Sequence, residues 1–281
     1  MGAYSFVKTP VEVKHFKETV SWMNECEGLF AVWATDPEAI KRVLPEPLTL
    51  AAPVAVSYVI NAYDPNFSTA YKEAALLVPA MCGDKGGLYT LSMLLEGSDN
   101  AITTGREELG IPKKNADSIE LYRSGDVIHA SITRMGIKLF EADAEIGDYN
   151  SPMAAQVFGD RSAGKVLDGQ QFFYKYELEQ GPKAELDVKN LRLLGVHNQM
   201  KYKGWENASL EVKLTPAPCD PWAELVCAKP LGAGWTKLDI GLLGLLFDKP
   251  MDAKASEGIV PKLLASRFDT PLFGQPNRMI G

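Results

Sequence analysis

Positive charge is in short supply along this chain: 29 Lys and Arg stand against 36 Asp and Glu, for a formal net charge of −7. No basic stripe exists to neutralise phosphates, which argues against a nucleic-acid partner, and the acidic balance is equally unsuited to anionic lipid. Histidine is scarcer still. His15, His129 and His197 lie far apart, without carboxylate or thiol companions at ligand spacing, so no metal site is expected. The four cysteines (Cys26, Cys82, Cys219 and Cys227) are scattered and form no Cys-x-x-Cys, a usage that fits reduced thiols in the cytoplasm.

Long apolar runs are missing as well. The longest, Ile240 to Phe247, is far short of the roughly 20 residues a bilayer span needs. The opening Met1-Gly2-Ala3-Tyr4-Ser5-Phe6 carries no basic segment followed by an apolar one, so neither a signal peptide nor a membrane association is expected. Asn66-Phe67-Ser68 and Asn207-Ala208-Ser209 match the glycosylation pattern, which carries no meaning without secretion. There is no Walker loop and no Gly-x-Ser-x-Gly elbow, and Gly232-Ala233-Gly234 precedes no clear helix. No cofactor is therefore expected.

What remains is an ordinary globular composition, 46% hydrophobic over 281 residues, enough for a sizeable core. With no linker or repeat in view, one domain over 1–281 is expected. Asp36-Pro37 predicts a short helix to Val43, stopped by Pro45 and Pro47, and Ser98 or Asp99 begins a second that ends at Gly110. Val54 to Ala62, Ala74 to Ala80 and Leu88 to Leu95 read as strands, as do Gln171 to Glu179, Leu186 to Val196 and Ala208 to Leu214. Ser124-Gly125-Asp126 predicts a hairpin turn between Ile119–Tyr122 and Val127–Arg134. Successive strands with few helices predict a mainly β fold, a large antiparallel barrel or sandwich. The stretch after Gly232, rich in Gly and Pro, shows no clear period.

One short segment carries chemistry. In Gly110-Ile111-Pro112-Lys113-Lys114-Asn115, two lysines follow a helix end and an apolar Ile-Pro. A free lysine, with a pKa of about 10.4, is protonated at neutral pH and cannot attack a carbonyl. Desolvation or a neighbouring cation disfavours the ammonium and exposes the lone pair. Pro112 fixes its own φ and restricts Ile111, which helps aim the side chain that follows. By itself such a pair also describes a solvated surface turn.

The surrounding residues resemble the acetoacetate decarboxylase family. Gly105-Arg106-Glu107, then Pro112-Lys113-Lys114, matches the family's Schiff-base lysine segment. Leu44-Pro45-Glu46-Pro47-Leu48, Tyr71-Lys72-Glu73 running to Val78-Pro79, and Trp205-Glu206 with the strand to Leu214 match three further stretches in the same order. The resemblance covers about 24–215. It implies a β-barrel or cone that forms homo-oligomers, Lys113 as imine-forming nucleophile, Lys114 as the neighbour that depresses its pKa, and Glu73 as proton shuttle or polar anchor. If the segment is extended, however, Lys114 faces the other way and desolvation is left as the cause.

Two pocket positions of the family differ. Counted without gaps, its early arginine falls on Cys26 and its second glutamate on Tyr58. Because those residues handle the departing carboxylate, the resemblance implies a Schiff-base lyase on a small oxo acid other than acetoacetate. Either its protonated imine would lose carbon dioxide or the enamine would undergo aldol addition and dehydration, with a lean to the latter; Tyr58 donates or accepts a proton if it points inward and is otherwise a core aromatic. Acetoacetate decarboxylation proper, a non-catalytic binding protein on the same barrel, and an assembly role for Leu238 to Phe247 are the alternatives.

Overall fold

The computed structural model describes residues 5–274. In chain order the elements are α1 (Pro10–Glu18), β1 (Ser21–Ala34), α2 (Pro37–Val43), β2 (Thr49–Leu50), β3 (Val54–Pro65), β4 (Tyr71–Cys82) and β5 (Lys85–Glu96). Next come α3 (Asp99–Leu109), β6 (Lys113–Asn115), β7 (Ser118–Ser124), β8 (Val127–Arg134), β9 (Ile137–Glu145) and α4 (Pro152–Phe158). The rest are β10 (Val166–Gln180), β11 (Leu186–Ala208), β12 (Glu211–Leu214), β13 (Lys229–Pro250) and α5 (Ala253–Leu263), with short 3-10 turns between and after them.

The large sheet runs β2-β4-β3-β1-β13-β11-β10-β5-β6, and a further pairing of β4 with β5 closes it into a ring. Its pairings are antiparallel except β10 with β5 and β5 with β6. A second antiparallel sheet, β12-β9-β8-β7, lies outside it. This is the mainly β, few-helix fold expected.

The ring has two buried faces, which explains its near-continuous apolar strands. In β3, Val56, Tyr58 and Ile60 point into the ring, while Ala55 and Val59 join an outer core with Ile119, Ile132 and Phe140 of the second sheet. Period-two alternation is lost where both faces are covered. Trp33 and Trp222, both wholly buried in that outer core, still satisfy their indole N–H groups, on the Leu225 carbonyl at 2.8 Å and on Ser92 Oγ at 3.1 Å.

One expectation is corrected here. The stretch after Gly232 is neither irregular nor simply an interface: it forms most of β13, a 22-residue strand between β1 and β11 that completes the ring. Two of its glycines hide the period because they make room for indoles. A Cβ on Gly234 would stand 1.9 Å from the Trp205 ring, and one on Gly241 2.7 Å from Trp22. Leu238 is wholly buried, whereas Leu245 and Leu246 near the strand's end are about half exposed. No helix among the described residues is long and apolar enough to cross a membrane.

Leu76 on β4 is fully buried in the core shared by ring and second sheet. Leu76→Ala is expected to cost about 3 kcal/mol through lost transfer energy and the cavity left behind. A lower denaturant midpoint with unchanged slope would show it.

Candidate active site

The helix before the lysines sets their position. Ser98 caps α3, accepting from the Ala101 N–H at 3.1 Å, and Gly110 ends it at φ 74°, in the left-handed region that glycine tolerates. A side chain at Gly110 would also collide with the Tyr174 carbonyl, 2.4 Å from an ideal Cβ. The Ile111 N–H then returns to the Gly105 carbonyl at 3.1 Å, and the Pro112 carbonyl accepts from Met93 N–H at 3.1 Å. That last bond starts the parallel pairing in which Met93 faces Lys113.

Because β6 is extended, Lys113 and Lys114 point to opposite faces. Lys113 enters the ring, 5% exposed; its Nζ donates to the Ala101 carbonyl at 3.2 Å and lies 3.1 Å from Glu73 Oε2. Glu73 is 1% exposed. Its Oε1 accepts from the Tyr58 hydroxyl at 2.6 Å, while Oε2 touches Nζ without the geometry of a hydrogen bond. Burial, reinforced by the Glu73 charge, pushes the Tyr58 and Tyr71 phenols well above their ordinary range, so both keep their protons.

Gly105 in the sequence motif has a direct spatial purpose. The Lys113 chain lies against it, and a Cβ there would stand 2.9 Å from Lys113 Cε.

These side chains line a cavity of about 410 Å³ inside the ring. Its wall is largely apolar, with Met23, Phe30, Val56, Leu77, Met93 and Phe173 among the residues around Lys113. The charged groups on it are Glu73, Lys113, Arg161 and Asp168. Of the residues singled out from sequence, Lys113, Glu73 and Tyr58 come together on the wall. Cys26 does not line it: its thiol sits in the same inner core, donating to the Met23 carbonyl at 3.5 Å, and burial pushes its pKa up to about 12.

Lys114 is the second departure from expectation. Its Nζ donates to the carbonyls of Cys219 at 2.7 Å, Ala265 at 2.8 Å and Phe268 at 3.2 Å, and lies 3.2 Å from Asp269 and 3.8 Å from Asp220. Arg134 shares both carboxylates. Burial, against the pull of Asp220, holds the Lys114 amine below its ordinary value. The lysine thus ties β6 to the segments around 219 and 265 on the face away from the cavity.

Arg161, the cavity's other cation, escaped the sequence reading. It stands alone in Gly159-Asp160-Arg161-Ser162, and the aromatic residues around it come from distant segments.

Two substitutions separate these roles. Lys114→Met leaves Asp220 and Asp269 short of a cation and is expected to destabilise the fold by about 3 kcal/mol, yet to preserve borohydride-trappable carbonyl adducts on Lys113. Gly105→Ala improves helix propensity by up to about 1 kcal/mol but crowds Lys113. Trapping should fall at least tenfold while the melting temperature holds.

Comparison with known proteins shows the family and the fold. Residues 8–249 match the family model described as acetoacetate decarboxylase (ADC). The chain is 33% identical over 273 residues, 96% of each protein, to a CLA biosynthesis isomerase of Lactiplantibacillus plantarum. It is 38% identical to an acetoacetate decarboxylase of Chromobacterium violaceum over 88 residues, 31% of this chain and 35% of that one. Among solved structures, acetoacetate decarboxylase from Legionella pneumophila superposes with a TM-score of 0.68 at 20% identity, covering 83% of this chain and 88% of that one. The enduracididine biosynthesis enzyme MppR, complexed with the condensation product of pyruvate and imidazole 4-carboxaldehyde, gives 0.61 at 13% identity, covering 82% and 88%. By sequence and fold alike, the chain belongs to the acetoacetate decarboxylase family, as a divergent member.

Proposed function

We propose that this protein is an enzyme in which Lys113 forms a Schiff base with the carbonyl of an oxo acid and Glu73 moves a proton at the adjacent carbon. The observation that carries this reading is the contact of Lys113 Nζ with Glu73 Oε2, 3.1 Å apart inside a largely apolar cavity. The ammonium sheds its proton to that carboxylate, Nζ adds to the carbonyl carbon, and Glu73 returns the proton to the departing hydroxyl, so that loss of water leaves a protonated imine beside an ionised carboxylate. The protonated imine draws electrons from the neighbouring C–H, and the carboxylate within reach removes that proton to give an enamine. The Tyr58 phenol, held protonated, keeps Glu73 aimed through its 2.6 Å hydrogen bond.

The enamine has two outlets. Where the substrate carries a carbon–carbon double bond one position beyond the deprotonated carbon, the enamine is a dienamine, and returning the proton at its far end moves that double bond, an isomerisation; joining the enamine to an aldehyde, or forming it by loss of CO2 from the protonated imine, is lyase chemistry. We favour the first. Counted without gaps, Cys26 and Tyr58 stand where the family's carboxylate-handling residues fall, and neither is a cation that would hold a leaving carboxylate. The relative matched over 96% of its length bears the name of an isomerase. A cavity of about 410 Å³ also falls within the roughly 300–1,000 Å³ of sites that take ligands well beyond four carbons. Aldol–dehydration or decarboxylation is the second reading, favoured by the intact lysine motif.

Borohydride reduction with oxo acids, followed by peptide mass analysis, is expected to mark Lys113 and to fail in Lys113→Ala. Deuterium should enter the carbon beside the carbonyl in heavy water. Glu73→Gln is expected to lower that exchange by about 100-fold or more, the scale of a lost general base, with Tyr58→Phe showing a smaller loss. Absence of any adduct on Lys113 would sink the enzyme reading. Carbon dioxide release or aldehyde consumption would favour the lyase outlet.

A further inference from the structure

The cavity holds a cation that the chemistry at Lys113 leaves unused. The Arg161 guanidinium is boxed by four rings, with its Cζ 4.9 Å from the Trp205 centroid, 5.1 Å from Phe158, 5.3 Å from Phe30 and 5.4 Å from Tyr202. Ring faces stabilise a cation, and of the four residues only Tyr202 has a hydroxyl that accepts from the guanidinium. Nε donates to the Phe158 carbonyl, whereas Nη1 is buried with no hydrogen-bond partner. No carboxylate among the described residues forms an ion pair with it: its neighbour Asp160 is held by Lys165 at 2.9 Å and by Ser162 at 2.8 Å. A buried cation without a counter-ion is costly, and burial holds this guanidinium below its ordinary value.

The position of Arg161 relative to Lys113 follows from the sheet register. Phe30, Tyr58, Ala75, Met93 and Lys113 are successive partners across β1, β3, β4, β5 and β6. Phe30, which Arg161 covers, is therefore four strand spacings of about 4.8 Å from Lys113 along the curved wall. The wall between is apolar apart from the Tyr58–Glu73 pair. An acid with several carbons between its ketone and its carboxylate is suited to touch both points of that wall at once.

We infer that Arg161 is a specificity-determining residue that binds the substrate's carboxylate by a charge-assisted hydrogen bond from Nη1, so that the substrate is an oxo acid whose ketone and carboxylate are separated by an apolar chain of several carbons. The inference rests on the proposed imine at Lys113 and adds the chain length and orientation of what it takes.

Trapping on Lys113 is titrated with acetoacetate, with seven-carbon and ten-carbon acids ending in a methyl ketone, and with the methyl esters of the two longer ones. In the wild type, the ten-carbon acid is expected to half-saturate at least tenfold below its ester. Arg161→Gln should weaken that acid by about 10- to 100-fold, the range for a hydrogen bond to a charged group, and leave its ester and acetoacetate unchanged. Arg161→Lys should restore part of the loss. Calorimetry with decanoate, which has no ketone, reads Arg161 independently of Lys113. Decanoate binding that Arg161→Gln abolishes, with no adduct from any ketone, would keep the anchor and overturn the imine. Acid and ester trapping equally in the wild type, or both weakened alike in Arg161→Gln, would overturn the anchor and leave Arg161 a packing residue.

Discussion

The site depends on a constraint of the extended backbone: adjacent side chains on a strand face opposite ways. Three residues of β6 put two consecutive lysines into two buried environments that share no contact. Lys113 enters an apolar cavity against one carboxylate. Lys114 enters a network of carbonyls and two carboxylates that it shares with Arg134. Lys114 earns its place by fastening β6 to the outside of the ring, and so by holding Lys113 still.

That arrangement requires a wall buried on both sides. The second sheet covers the outer faces of β3, β4 and β5, which frees their inner faces to carry Tyr58, Glu73 and Met93 at fixed register. Gly105 supplies the last piece of shape, a missing side chain where the Lys113 stem must lie. An arginine boxed by rings from β1, α4 and β11 adds a second polar point on the same wall.

Much of this was legible before the fold was known. Caps and breakers marked α2 and α3 to within a residue, because Asp36-Pro37 and Ser98 act on their own backbone neighbours. The β-branched and apolar runs marked the ring strands, although β4 and β5 run one to three residues further at each end, β11 continues past the expected Val196 to Ala208, and the strand expected from Ala208 to Leu214 is only Glu211–Leu214, in the second sheet. Thr9 and Glu12 form a capping box at α1 that was there to be read, and Ser151-Pro152 starts α4 in the same way. β13 was illegible for a different reason. Glycine there reflects the space taken by Trp22 and Trp205 on other strands, and no local pattern reports that.

The linear sequence by itself determined the lysine segment, its glycine and proline framing, the Tyr71–Glu73 strand and the mainly β class, because each rests on short-range backbone chemistry or on an ordered motif. Only the tertiary structure decided that Lys113 meets Glu73, itself bonded by Tyr58, that Lys114 leaves the site, that Cys26 stays off the cavity wall and that Arg161 reaches it. The physical reason is that facing and proximity depend on strand register and ring closure, which bring residues 30, 58, 75, 93 and 113 into one row. A single-residue slip of that register would turn every one of those side chains to the other face.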